Sequence, residues 1–321
     1  MKKEIPMKIE WEPGWLTWVS SATLCLNALG IECDKADVAG YSGYAFALAV
    51  NEGLCASGPT FLDWNKLASG VCALGRSTMS FISMDCYSEG NRNENTKSHA
   101  RRVFDLASDE IDDGRPCVAW GLGIPEFGVV WGIDGDEYLC VQGGGIPERI
   151  RWDEIDAPGG PYILAFPTER SKNTDWNMER ESVRCAVMML NRLNYASNMQ
   201  CGLSAYDYWC AQLAGKNAVV WTNSYNAQCW SEARLFAAEF IGRLAGNNPK
   251  IKPLEEAHRY FLAVAEQMRG ISELFPFTMK FEKDLITDSE AISKAIDYLE
   301  LAKVNEIQAV DSLKEALLIW N

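Results

Sequence analysis

The chain has 321 residues, which is enough for one large domain or two ordinary ones with a buried core. Its formal charge of −14 argues against nucleic acid and anionic membranes as partners, because both require clustered cations. No apolar run reaches the length of a transmembrane helix, and no apolar segment of a secretory signal follows the N-terminus. The eleven scattered cysteines lie mostly in apolar runs, which indicates free thiols in a reducing, cytoplasmic compartment.

The first half alternates short helices with β-rich runs. Helices are predicted over 19–29, 61–74 and 98–111, and strands over 44–50, 78–83, 116–121, 127–133, 138–142 and 161–166. The strands from residue 116 onward are connected by short segments, including a tight hairpin turn at 134–137. Short connections between consecutive strands favour an antiparallel sheet, so this half is predicted to be α+β.

A polar linker over 167–175 separates this half from one in which β signals nearly vanish. Apolar residues there recur at spacings of three and four, which predicts helices over 182–193, 203–213, 230–244, 254–268, 291–302 and 304–320. We therefore predict an α+β domain over 1–170 and an all-α domain over 171–321.

The sequence contains few patterns that indicate a metal or cofactor site. The only histidines are His99 and His258, and the sequence has neither a Cys-x-x-Cys nor a His-x-x-x-His pair, so no metal site is predicted. The glycines of 143–145 lack the strand–loop–helix setting of a phosphate site and are expected to turn the chain after a strand. No cofactor is predicted.

Four segments occur in an order that resembles the papain-like cysteine peptidase fold. They are similar to the helix that carries the nucleophile, a glycine-rich loop, the segment leading into the central strand, and the strand that begins at the catalytic histidine: Trp15–Gly30, Gly40–Phe46, Ile111–Pro116 and Phe127–Asp134. The likeness is to bacteriocin-processing peptidase-like proteins and to the butirosin-biosynthesis (BtrH-like) acyltransferase family. In the second half, 202–209 and 232–240 resemble the helical C-terminal domain of that family.

The resemblance also implies where a catalytic triad would lie. The nucleophilic cysteine would fall at Thr17 or Trp18, the histidine at Glu126, and the third member near Gln142. None of these residues is a thiol or an imidazole, so the thiol acyl-transfer chemistry of the family is expected to be lost. No catalytic residue is predicted.

Three hypotheses follow. The first is a non-catalytic relative that binds a small molecule or peptide in the former active-site cleft, with predicted contacts from Trp18, Ser42, Gly43, Tyr44, Ser57, Gly58, Trp120, Glu126 and Gln142. The second is a cysteine-dependent acyltransferase, amidase or peptidase that uses Cys25 and an imidazole such as His99. The third is a scaffold or dimerisation protein, in which the helical half supplies a homodimer interface.

Overall fold

A computed structural model describes residues 2–6, 8, 10–169, 177–191, 199–278, 280–281 and 283–320. The chain divides into two compact units, each built from two segments: Met1–Val38 with Ala68–Thr174, and Ala39–Leu67 with Asp175–Asn321. This division differs from the predicted domains, 1–170 and 171–321, in residues 39–67, which belong to the second unit. Much of the predicted linker, 170–175, lies outside the described residues.

The elements up to residue 169 are short. In chain order they are β1 (Lys2–Glu4), α1 (Thr17–Ala28), α2 (Lys35–Ser42), β2 (Ala49–Val50), α3 (Ser57–Thr60), α4 (Trp64–Val71), β3 (Met79–Ile82), α5 (Glu94–Asp112), β4 (Cys117–Trp120), β5 (Phe127–Asp134), β6 (Glu137–Gln142), β7 (Ile146–Arg151) and β8 (Tyr162–Ala165). Single 3₁₀ turns occur at Tyr44–Phe46, Glu52–Leu54 and Cys72–Leu74.

The later elements are mainly long helices. They are α6 (Met178–Asn191), β9 (Gln200–Cys201), α7 (Leu203–Ala214), α8 (Val220–Asn247), α9 (Lys252–Leu274) and α10 (Ser289–Ile319). The prediction of an α+β fold followed by an all-α region is therefore confirmed at this level.

Within the described residues of the first unit, seven strands form one antiparallel sheet. Six of them follow the order β3-β8-β4-β5-β6-β7, and β1 pairs with the far end of β5. The predicted hairpin between β5 and β6 is present, and Gly135 at its tip has a φ of 64°, a conformation that suits glycine. β4, β6 and β8 are buried almost throughout, which explains their nearly continuous apolar sequences.

The prediction missed strand β7. This strand forms one edge of the sheet and is exposed along most of its length, with Pro147, Glu148 and Arg149 near its centre. Charged residues and proline protect an edge strand from pairing with other chains, but they also remove the apolar signal by which strands are recognised.

Helix α1 is buried over most of its length, from Thr17 to Leu26. It packs against β4 and β5, and it ends close to Gly30, whose φ of 79° stops the helix as predicted. Its first residue, Thr17, therefore lies where β5 begins. That position matters for the candidate site.

The predicted strand over 44–50 is wrong. Residues 44–46 form a 3₁₀ turn, and the strand within this range is limited to Ala49–Val50, in a two-residue pairing with β9. The carbonyls of Ala45 and Ala47 accept hydrogen bonds from Arg234 Nη1 of α8, at 3.0 and 2.6 Å. These carbonyls thus pair with a distant side chain instead of a neighbouring strand.

Arg234 is completely buried and forms an ion pair with Glu306 of α10, which is also completely buried. The pair connects the 39–67 segment to two helices of the second unit. The two helices predicted over 291–302 and 304–320 are in fact the single helix α10, because no proline or glycine interrupts the chain between them.

Candidate functional site

The structure brings together two of the positions at which the resemblance places catalytic residues. Thr17 Oγ1, at the start of α1, donates a hydrogen bond of 2.6 Å to Oε2 of Glu126, the residue just before β5. The backbone N–H of Phe127 donates to the same Thr17 oxygen at 3.2 Å. Of the two positions that the sequence left open for the nucleophile, Thr17 is therefore the one that contacts Glu126.

The residue types at these positions, and not their geometry, disfavour nucleophilic chemistry at Thr17. The base that usually takes the proton of a serine or threonine nucleophile is an imidazole, and a carboxylate is a weaker base than an imidazole. The hydroxyl proton lies in a hydrogen bond to Glu126, and the Phe127 amide uses an acceptor position on the same oxygen. Thr17 is also only 8% exposed. The pair is suited to holding α1 against the start of β5.

Gln142 ends β6 on the strand next to β5. The register places it opposite Gly128, which is two residues after Glu126. Gln142 is 3% exposed, and its Oε1 has no hydrogen-bond partner among the described residues. A buried amide oxygen without a donor is costly.

Trp18 and Trp120 are core residues in this conformation. Trp18 is 1% exposed, and its Nε1 donates to Tyr162 Oη at 3.4 Å. Trp120 is 6% exposed, donates from Nε1 to Pro158 O at 2.9 Å, and packs its ring on Phe127. Both indole N–H groups are thus used inside the protein.

The other five predicted contact residues belong to the second unit, where they hold the 39–67 segment in place. Ser42 Oγ donates to Ala39 O and accepts from Tyr44 N, Tyr44 Oη donates to Pro59 O, and Ser57 Oγ accepts from Asn51 Nδ2. Gly43 has a φ of 84°, and a Cβ on Gly58 would lie 2.4 Å from Ala49 O. Each of these contacts therefore stabilises the conformation of the 39–67 segment.

Sequence reasoning missed the contact between Trp11 and the turn after β6. Trp11 Nε1 donates to Gly143 O at 3.1 Å, and its ring lies against Gly145, whose φ is 72°. The prediction that the glycines of 143–145 turn the chain after a strand is confirmed. No local signal could have paired Trp11 with residues so far along the chain.

A groove with a volume of about 450 Å³ runs beside α1 in the first unit. We call it the α1 groove; it is lined by Ile5, Pro6, Lys8, Glu10, Glu12, Ser20, Thr23, Leu24, Asn27, Ala28, Cys33, Asp34 and Lys35. None of the nine predicted contact residues is among them. The sequence offered no signal for this groove, because one wall is the irregular N-terminal segment.

The Cys25 hypothesis gains no support from the geometry. Cys25 is completely buried, and burial raises the pKa of its thiol well above the ordinary value, so the reactive thiolate is disfavoured. His99 Nδ1 lies 2.7 Å from Ser83 Oγ and 3.2 Å from Asp85 Oδ2. Both partners meet the same ring nitrogen, unlike the two-sided relay of a catalytic triad.

In the described part of the chain, no three His, Cys, Asp or Glu side chains are grouped so that they could hold a metal ion. No helix there is long and apolar enough to cross a membrane. No protein-family model matches the sequence, and no curated protein matches it at significant similarity.

Proposed function

We propose that this protein is a non-catalytic relative of the papain-like and BtrH-like proteins, and that it binds a small molecule or peptide beside the Thr17–Glu126 pair. The observation that carries the proposal is the hydrogen bond of 2.6 Å between these two side chains, at the positions of the family's nucleophile and base. A contact between these residues, 109 positions apart, agrees with the arrangement of a papain-like fold. A threonine and a glutamate, however, lack the chemistry of a catalytic cysteine and histidine.

Two acceptor groups support a binding role. Glu126 is only partly buried and carries a carboxylate, and Gln142 contributes a buried amide oxygen from the adjacent strand. A ligand that approaches them would contribute N–H donors, such as a peptide amide or an amine. A partly desolvated acceptor at the end of a rigid sheet is a common way to orient such a ligand.

Binding and turnover can be tested in parallel. A ligand-observed NMR screen of small amides and dipeptides should give hits that bind the native chain and bind Glu126→Gln at least about tenfold more weakly, since an ionised acceptor is lost. Glu89→Gln, in an exposed loop, is the matched control. Hydrolysis or acyl transfer that disappears in Cys25→Ala would contradict the proposal and restore the enzyme hypothesis.

A homodimer formed through the helical unit stays a second candidate. Its motivation is that α10 exposes Leu301 and Val304, three residues apart on one face, at 51% and 58%. Sedimentation velocity tests it: a dimer that Leu301→Lys converts to a monomer supports this role, and a monomeric native chain excludes it.

A further inference from the structure

Strand β7 is an edge of the antiparallel sheet, and among the described residues it pairs with β6 alone. The N–H of Trp152 donates to Asp136 O at 3.0 Å, which continues the β6–β7 register. Backbone groups point alternately to the two sides of a strand, so Glu148 directs its N–H and C=O towards β6 and Arg149 directs both outward. Outward backbone groups on an edge strand are a template for a further strand.

The two faces of β7 differ in charge. On one face, the guanidinium of Arg149 donates to Asp134 Oδ2 and Glu137 Oε2, at 2.9 and 3.2 Å. Arg151 on the same face forms an ion pair of 3.1 Å with Asp153. The two arginines therefore have their counter-charges within the protein.

The other face carries Ile146, Glu148 and Ile150, each two residues from the next. A Cβ placed on Gly123 would lie 3.0 Å from Ile150 Cδ1 and 3.8 Å from Glu148 Oε2, so these two side chains share a face, and alternation places Ile146 on it. Ile146 is 68% exposed. Glu148 is exposed and forms no ion pair within the described part of the chain. This face thus combines apolar side chains with one carboxylate that is not neutralised.

Charge decides which strand this edge accepts. A like charge opposite Glu148 is repelled, and an apolar strand would partly desolvate the carboxylate without giving it a partner. A lysine or arginine in that position forms a cross-strand ion pair. The formal charge of −14 on the chain adds long-range attraction for a cationic segment. The charges that protect this edge from nonspecific pairing therefore also select a basic strand.

We propose that the β7 edge binds an extended segment of a basic peptide as an additional strand. The peptide backbone pairs with the outward N–H and C=O of Arg149, and a basic side chain lies opposite Glu148. Apolar side chains two residues to either side of it pack on Ile146 and Ile150, so the expected pattern is apolar–x–basic–x–apolar. None of these contacts involves the Thr17–Glu126 pair, so the inference goes beyond the proposed function and is independent of it.

NMR titration of the isotopically labelled chain with acetyl-Thr-Val-Thr-Lys-Thr-Val-Thr-amide tests the charge selection. The native chain should bind this peptide at least about fivefold more tightly than the same peptide with glutamate in place of lysine, since opposite charges replace like charges across the strands. Glu148→Lys should reverse the preference, and Glu89→Gln, in an exposed loop, should keep it. Equal affinities of the native chain for the two peptides, or an unchanged preference in Glu148→Lys, would overturn the assignment.

Substitutions at Arg149 test the backbone contact. Arg149→Pro removes the outward N–H but no bond to β6, and edge strands tolerate proline at such positions. Arg149→Ala removes the same side chain and keeps the N–H. The lysine peptide should bind Arg149→Pro at least about fivefold more weakly than Arg149→Ala, with both variants keeping the native circular dichroism spectrum.

Peptide-induced shifts locate the binding in the native chain. Binding should shift the Arg149 amide signal and slow the hydrogen exchange of that amide. Equal binding by the two folded Arg149 variants, or no shift at Arg149, would refute the proposal. Shifts confined to the surroundings of Thr17 and Glu126 would also refute it, while supporting the site of the proposed function.

Discussion

Replacing Thr17 with valine tests the contact on which the proposed function depends. The change keeps the branched shape but removes a donor to Glu126 and an acceptor for the Phe127 amide, at 2.6 and 3.2 Å. A hydrogen bond to a charged group contributes about 1.5–3 kcal/mol to stability. Because Glu126 is partly exposed and regains water, we expect a loss of about 2–3 kcal/mol in the unfolding free energy of the first unit.

The matched control is Thr23→Val on the same helix. Thr23 is buried to a similar degree, but among the described residues its hydroxyl bonds to Val19 O alone, four residues back in the helix. Losing such a bond should change stability by about 0.5 kcal/mol or less. Urea unfolding followed by circular dichroism gives both values, and hydrogen exchange of the Phe127 amide should accelerate only in Thr17→Val. If the two variants differed by less than about 0.5 kcal/mol, the Thr17–Glu126 contact would not have the assigned strength.

Three further predictions concern other parts of the chain. Glu306→Leu leaves the guanidinium of Arg234 buried without the Glu306 carboxylate and should lower the unfolding free energy of the second unit by about 3–5 kcal/mol, as measured by urea unfolding. Glu315→Leu, at an exposed position on the same helix, is the control and should cost little. Equal effects of the two variants would contradict the role of the pair. Iodoacetamide should label the exposed Cys55 and should not label Cys25 until urea unfolds the chain, as measured by peptide mass spectrometry. Labelling of Cys25 in the folded state would support the hypothesis of an enzyme that uses Cys25. Burial raises the pKa of Cys140 to about 12, so this thiol ionises at lower pH in the unfolded chain than in the folded one. The unfolding free energy should therefore fall by up to about 1.4 kcal/mol per pH unit as pH rises from about 9 to about 12. Cys140→Ala should lessen that slope, and an unchanged slope would contradict the assignment.

The sequence predicted elements whose signal is local. Helix α1, the strands β4, β5, β6 and β8, and the hairpin at Gly135 follow from apolar runs bounded by glycine, proline or acidic turns. The strand predicted over 44–50 failed because its partner is not local: Arg234, 189 residues after Ala45, binds carbonyls that a neighbouring strand would otherwise bind.

For the candidate site, the order of elements compared with a known fold placed the nucleophile position at Thr17 or Trp18 and the base position at Glu126. The structure shows that the side chains of Thr17 and Glu126 touch. Apolar and aromatic residues such as Trp18 and Trp120 were harder to assign, because a large indole has the same sequence signature in a core and in a pocket. The α1 groove was not predicted, since the residues that face α1 across it, such as Glu10, Glu12 and Asp34, belong to segments with no periodic pattern.

The most direct test of the proposal introduces a cysteine at position 17 and a histidine at position 126, the residue types that the resemblance implies there. In Thr17→Cys/Glu126→His, the introduced thiol and imidazole should replace the hydroxyl–carboxylate contact and form a thiolate–imidazolium pair, which lowers the thiol pKa. Iodoacetamide at pH 6 should then alkylate the introduced thiol at least about tenfold faster than the thiol of Thr17→Cys alone, because the single variant lacks the imidazole. Equal rates in the two variants would show that positions 17 and 126 do not have the geometry of a nucleophile and its base, and would contradict the central claim.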